Sequence, residues 1–226
     1  MKILAFDTAT DVCSVAVWVD GAVDERCEIG RRHAERLLIL VDEALADAGT
    51  TLRGLDAICF GRGPGSFTGL RICAGVAQGL AFGADLPVVA VSTLAAIAQH
   101  AGSTHVLAAI DARMQQVYWG EFVAGVDGLV QLQGEECVVA PATVPLPTAS
   151  TWIGAGSGWE QYAPILQARL ADRLQQWRSG GYPSARCVAE LGVRDFRAGK
   201  AVAAEQALPV YLRDNVAIKS SERLSK

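Results

Sequence analysis

Two stretches of this chain repeat one another 104 residues apart: Ile3-Leu4-Ala5-Phe6-Asp7 and Leu107-Ala108-Ala109-Ile110-Asp111. Each is an apolar run of strand length ended by an aspartate. Each leads through a turn into a second apolar strand carrying a tryptophan, Trp18 and Trp119. Asp20-Gly21, a dipeptide suited to hairpin turns that need positive φ, has a partner in Asp127-Gly128. Ile153-Gly154-Ala155-Gly156-Ser157-Gly158 repeats the passage from Ile58 to Ser66, a strand entering a glycine-rich loop. Such self-similarity constrains the fold more than local propensity does, because one solution must serve both copies. The expectation is a duplicated α/β architecture: two lobes of mixed sheet flanked by helices, with a cleft between them. Residues 1–103 would form the first lobe, 104–218 the second, and 219–226 a loose polar tail.

Within the first copy, Ile3–Phe6 and Ser14–Val19 read as strands, and a third follows the Asp20-Gly21 turn. Ala34, Leu37, Leu38, Val41, Leu45 and Ala48 recur at helical spacing before Gly49. Ala57–Phe60 is a strand running into Gly61-Arg62-Gly63-Pro64-Gly65-Ser66-Phe67. Thr68–Phe82 reads as a helix, Pro87–Val91 as a strand and Thr93–Ala101 as a helix. Strand–strand–strand–helix–strand–helix is the order expected of both copies. The second half is less regular, with a loop at Pro141–Ser150 and helices at Trp159–Ala171 and Ser184–Ala198.

With 226 residues, 51% of them apolar and 19% charged, the chain is able to bury a sizeable core. Its net charge of −4 leaves no basic surplus of the kind that carries stand-alone RNA binding. Six cysteines form no CxxC pair and read as small buried residues of a reducing compartment. Asp7 interrupts the N-terminal apolar run, so it is no export signal, and no apolar stretch reaches membrane-spanning length. A cytoplasmic protein is expected.

Four features could carry function. The loop Gly63-Pro64-Gly65-Ser66-Phe67-Thr68-Gly69 lies between a strand and a helix, where backbone N–H groups are able to approach an anion. It is neither a Walker loop nor a dinucleotide fingerprint, and a tight turn capped by Ser66 or Thr68 explains it equally well. Asp7 and Asp111 either hold a metal-bound nucleotide or cap their turns. The histidines His33, His100 and His105 lack the spacing of a zinc helix, no GxSxG is present, and His33 reads as a solvated residue. Finally, the first two helices carry more apolar positions than one sheet-facing stripe requires. Ile39, Leu40 and Ala44 on the first, and Ile72, Val76 and Leu80 with Gly75 and Gly79 on the second, form a face expected to dock another chain.

Phe6-Asp7-Thr8-Ala9-Thr10, Gly61 through Arg71, Asp111-Ala112-Arg113-Met114 with Val117-Tyr118-Trp119, and Pro209-Val210-Tyr211-Leu212-Arg213 together resemble the TsaB family, also called YeaZ. The likeness spans nearly the whole chain. It implies the actin-like, sugar-kinase-like (ribonuclease H-like) fold, in agreement with the duplication. It also implies a role in forming N6-threonylcarbamoyladenosine at position 37 of tRNA, as a non-catalytic subunit that binds and activates the homologous catalytic subunit TsaD. The small ATPase TsaE would join through the complex, and tRNA would be held mainly by the partners. Self-association through the same helix face is implied as well. The resemblance leaves no intrinsic cofactor, with room for ATP or ADP at a complex interface. Catalytic relatives carry Asn-His-Met-Glu-Gly-His after the strand matching Pro87–Val91, and their two metal-binding histidines fall here on Thr93 and Ile97. The competing readings are a small-molecule kinase of the same superfamily, built on Asp7, Asp111 and Gly154–Gly158, and a metallopeptidase, which the missing ligand pair disfavours.

Overall fold

The computed structural model describes residues 1–30, 32–148 and 151–213, so the expected tail at 219–226 lies outside the described residues. Strands β1 (Lys2–Asp7), β2 (Val12–Val19) and β3 (Ala22–Ile29) form an antiparallel meander. Helix α1 (His33–Asp47) carries the chain to β4 (Ala57–Gly63), parallel to β1. Helix α2 (Phe67–Ala84) leads to β5 (Val88–Ser92), parallel to β4, and α3 (Thr93–Ala101) follows. The second half contains β6 (His105–Asp111), β7 (Val117–Ala124), β8 (Val130–Val139), β9 (Trp152–Ala155), α4 (Ser157–Leu170), β10 (Leu174–Arg178) and α5 (Ala185–Arg197).

The two five-stranded sheets are ordered β3-β2-β1-β4-β5 and β8-β7-β6-β9-β10. Parallel and antiparallel pairs fall at the same places in both. The repeat read from Asp7 and Asp111 is therefore a repeat of topology, with each aspartate ending the central strand of its sheet. The copies differ at one element. Where the first has α1, the second has a single 3-10 turn at Pro141–Thr143. Pro141, Pro145 and Pro147 remove amide donors and clash with a preceding helical turn, which explains the missing helix.

Strand alternation sorts the core into layers. Leu4, Phe6, Ile58 and Phe60 face α1 and α2 on the outside of the first sheet. Ile3, Ala5, Ala57 and Cys59 face inward, in one continuous cluster with α3, α5 and the inner residues Val106, Ala108 and Ile110 of the second sheet. Leu107 and Ala109 face outward into a third cluster with Trp119 and Trp159, under α4. The two central helices are exchanged: α3, from the first half, packs mainly on the second sheet, and α5, from the second half, packs on the first. Helices therefore do not follow the division of the chain near residue 103, whereas the sheets do.

Helix α1 is rotated from expectation. Its buried residues are His33, Leu37, Leu40, Val41, Ala44 and Leu45, one stripe at helical period. Leu38, expected in the core, is 48% exposed, and Ile39 is 44% exposed. Leu40 and Ala44, expected on the docking face, belong instead to the core beneath the helix. His33, expected in solvent, is buried, and its Nε2–H donates to the Thr10 carbonyl at 2.8 Å.

Candidate functional sites: a filled glycine loop and an open helix face

Asp7 ends β1 with its side chain fully buried. The Ala9 N–H donates to its Oδ1 at 2.7 Å and the Thr93 hydroxyl to its Oδ2 at 2.8 Å. Gly61 sits so close that any Cβ there would overlap the carboxylate. Burial pushes the Asp7 carboxyl up to about 7, and the two donated hydrogen bonds only partly oppose it. Asp7 thus joins β1 to the start of α3, and Thr93 occupies the remaining oxygen. Ile97, at the second position aligned with a metal ligand, lies in the shared core. Among the described residues, no three His, Cys, Asp or Glu side chains converge to hold a metal.

The glycine loop closes on the chain itself. Ser66 N–H donates to the Ala9 carbonyl at 2.7 Å, and the Thr8 hydroxyl donates to the Gly69 carbonyl at 2.8 Å. A Cβ on Gly65 or Gly69 would overlap the Ala9 or Thr8 carbonyl oxygen, so these glycines permit backbone to approach backbone. Gly63, at φ 103°, packs against Leu70 and the Val210 carbonyl on the other side. The Ser66 side chain caps α2, accepting from Gly69 N–H at 3.4 Å, while Thr68 is exposed in the first turn. Gly156 and Gly158 approach Ala109 in the same manner in the second copy. In this arrangement the loop is held against the Thr8–Ala9 backbone and leads directly into the capped start of α2. Asp111 is likewise engaged, paired with Arg113 at 3.0 Å and accepting from the Tyr162 hydroxyl at 3.3 Å.

The outer face of the helix pair is different. On α2, Cys73, Ala74, Ala77 and Ala81 are buried against the first sheet, while Ile72, Val76 and Leu80 are half-buried at its margin. Gly75, Gly79 and Gly83 follow at every fourth residue, and a Cβ on any of them would meet nothing within 4 Å. Phe82 beside them is 84% exposed. Leu38 and Ile39 of α1, a helix that packs against α2, are exposed as well. Of the docking residues expected from sequence, Ile39, Gly75 and Gly79 are exposed and Ile72, Val76 and Leu80 are half-buried.

Sequence reasoning assigned no role to several residues that tie the lobes together. Glu136 of β8 accepts from Arg62 of β4 at 3.0 Å and also from the Ser92 hydroxyl. These residues form part of the wall of a groove of about 550 Å³, together with Arg194 and Lys200, which both pair with Asp195. Pro209–Arg213 crosses between lobes as well. Family likeness was the one sequence signal for that segment, and nothing local marks Glu136. No helix among the described residues is long and apolar enough to cross a membrane.

Comparison with known proteins adds to this geometry. Residues 27–220 match the family model described as TsaD, tRNA N6-adenosine threonylcarbamoyltransferase. The chain is 43% identical to the tRNA threonylcarbamoyladenosine biosynthesis protein TsaB of Escherichia coli, over 97% of each chain. It is 37% identical to TsaB of Haemophilus influenzae, covering 97% of this chain and 96% of that one. Among solved structures it is similar to YeaZ from Pseudomonas aeruginosa, with a TM-score of 0.87 and 45% identity over 93% of this chain and 99% of that one.

Proposed function

As the chain belongs to the TsaB family, and so to tRNA threonylcarbamoyladenosine biosynthesis, we propose that it is a non-catalytic subunit. In this reading it binds and activates a TsaD-type catalytic chain through the α1–α2 face. The observation that carries the reading is the row Gly75, Gly79 and Gly83, which faces open space. A glycine inside a helix costs roughly 0.5–1 kcal/mol relative to alanine. Nothing in the monomer requires that cost here, whereas a partner helix seated on α2 would, because only glycine lets two helix backbones approach closely. Exposed Phe82 on the same helix, with exposed Ile39 and Leu38 on α1, supplies apolar area for such a contact.

The absence of catalysis by this chain alone is supported by chemistry. Ile97 has no ligating atom, and Thr93 offers a hydroxyl in place of an imidazole, already committed to Asp7. The glycines of the loop are accounted for by close packing on the Thr8–Ala9 backbone, which is what a scaffold that orders α2 requires. Docking would act on the partner by favouring its transferase-competent conformation, to the extent that this chain binds that conformation more tightly. The net charge of −4 is consistent with tRNA being held mainly by partners. The same face would also support pairing with a second copy when the catalytic chain is absent. A TsaE-type ATPase would join through the assembled complex.

The test is to mix the purified chain with a TsaD-type subunit, follow association by sedimentation, and assay tRNA modification. A stable heterodimer, with modification requiring both chains, is the expected result. A chain that stays apart from the partner and hydrolyses ATP unaided would overturn the reading in favour of a kinase-like enzyme.

A further inference from the structure

Strand β4 ends at Gly63 in the first lobe and β6 at Asp111 in the second. The chain's own C-terminal segment runs between these two places. Gln78 of α2 donates to the Ala207 carbonyl at 3.2 Å, and the segment then runs on from the first lobe. Val210 N–H donates to the Arg62 carbonyl at 2.8 Å. The Tyr211 ring meets Phe67 with centroids 5.6 Å apart, and its hydroxyl accepts from Arg71 Nε at 3.3 Å. The Arg71 guanidinium in turn lies 3.7 Å over the Phe67 ring. Two residues on, Arg213 reaches the second lobe, where its Nη2 donates to the Ala112 carbonyl at 3.1 Å and to Gln116 Oε1 at 2.6 Å.

The turn that Arg213 grips is itself unusual. Arg113, Met114 and Gln115 have φ values of 60°, 52° and 58°, three non-glycine residues in succession in the left-handed region. L-residues visit that region rarely and usually one at a time. Such a run persists only where neighbours over-determine it, and Arg213 binds both of its flanks.

We propose that Pro209–Arg213 is a built-in strap that ties the two lobes together, with Arg213 as its latch on the β6–β7 turn. The planar fork of the guanidinium suits this work, since it serves two oxygen acceptors at once where an ammonium would offer a point charge. The central helices α3 and α5 join the lobes through the shared core, and the strap joins them a second time through β4, α2 and the β6–β7 turn. This inference stands apart from the identity of any partner.

Amide hydrogen exchange on the full chain tests it, comparing the native protein with Arg213→Ala, Arg213→Lys and Gln116→Ala. In Arg213→Ala, amides at both ends of the strap, residues 112–117 and 62–70, should exchange ~10–100-fold faster, while α3 and α5 keep their protection. Arg213→Lys should fall between native and Ala. If only 112–117 loosens, Arg213 is a local brace of one turn and the strap is overturned; unchanged exchange at both places overturns it too. Should Arg213→Ala fail to fold, Gln116→Ala must show the same two-sided pattern at roughly 3–10-fold, and its absence counts equally against the proposal.

Discussion

Asp7 and Glu25 are two carboxylates that bear on the stability of the chain in opposite ways. Burial raises the Asp7 carboxyl to about 7, above the model-peptide value of ~3.9 for an unfolded chain. Between those values the folded state binds the proton and the unfolded state releases it, so this group's contribution to stability is lost as pH rises from ~4 to about 7. The slope reaches at most about 1.4 kcal/mol per pH unit. Asp7→Asn should therefore melt higher than the native chain at pH 8, and the gain should shrink as the pH falls toward ~4. A gain that does not vary with pH would show that Asp7 does not titrate there. Glu25 stabilises instead. Its Oε1 accepts from the hydroxyls of Ser14 at 2.7 Å and Ser184 at 2.8 Å, while Ser14 Oγ accepts from Ala185 N–H at 2.8 Å. The N-terminus of α5 is thus capped by residues of β2 and β3. Glu25→Ala should lower stability by about 1–3 kcal/mol in a denaturant titration. Asp7 drew attention in the sequence because it ends a repeated strand, but its burial depends on Thr93 and Gly61 arriving from elsewhere. Glu25 gave no signal at all, since it caps a helix that begins some 160 residues later.

At the scale of single elements, α2 was legible because its length and apolarity exceed what one sheet face requires. The rotation of α1 was not, because Leu37, Leu38, Ile39, Leu40 and Val41 form an unbroken apolar run that fits two adjacent stripes equally well. Packing against β2 selects the stripe that buries Leu37, Leu40, Val41 and Ala44. The interface prediction accordingly rests on α2 and on the outward residues of α1. Val76→Arg should weaken pairing with a TsaD-type chain at least ~30-fold while shifting the melting temperature little, because a large charged side chain would meet the partner at a desolvated centre. Equal affinity in a titration would remove Val76 from the contact. The glycine loop makes a separate prediction. Gly65→Val places atoms on the Ala9 carbonyl and should cost ~1–3 kcal/mol or more in stability. A melting curve shows this directly, with no nucleotide present. The sequence left phosphate site and tight turn in balance at this loop, because both need glycine for close approach. The identity of the approaching group is a tertiary fact.

For the whole molecule, the duplication was readable because paired hairpins and glycine loops leave local marks 104 residues apart. The exchange of α3 and α5 leaves no such mark: an amphipathic helix records that it has a partner sheet but not which one. This exchange bears on how the protein is made. The inner face of the first sheet, with Ile3, Ala5, Ala57, Cys59, Val89 and Val91, is covered by α5. The ribosome completes β5 about 100 residues before it completes α5. At ~5–20 residues per second, that apolar face waits on the order of 5–20 s for its cover during synthesis. The earliest-made half of the protein is thus the last to be sealed, and the nascent chain passes through an interval in which chaperones, or its own neighbours on a polysome, meet an open sheet.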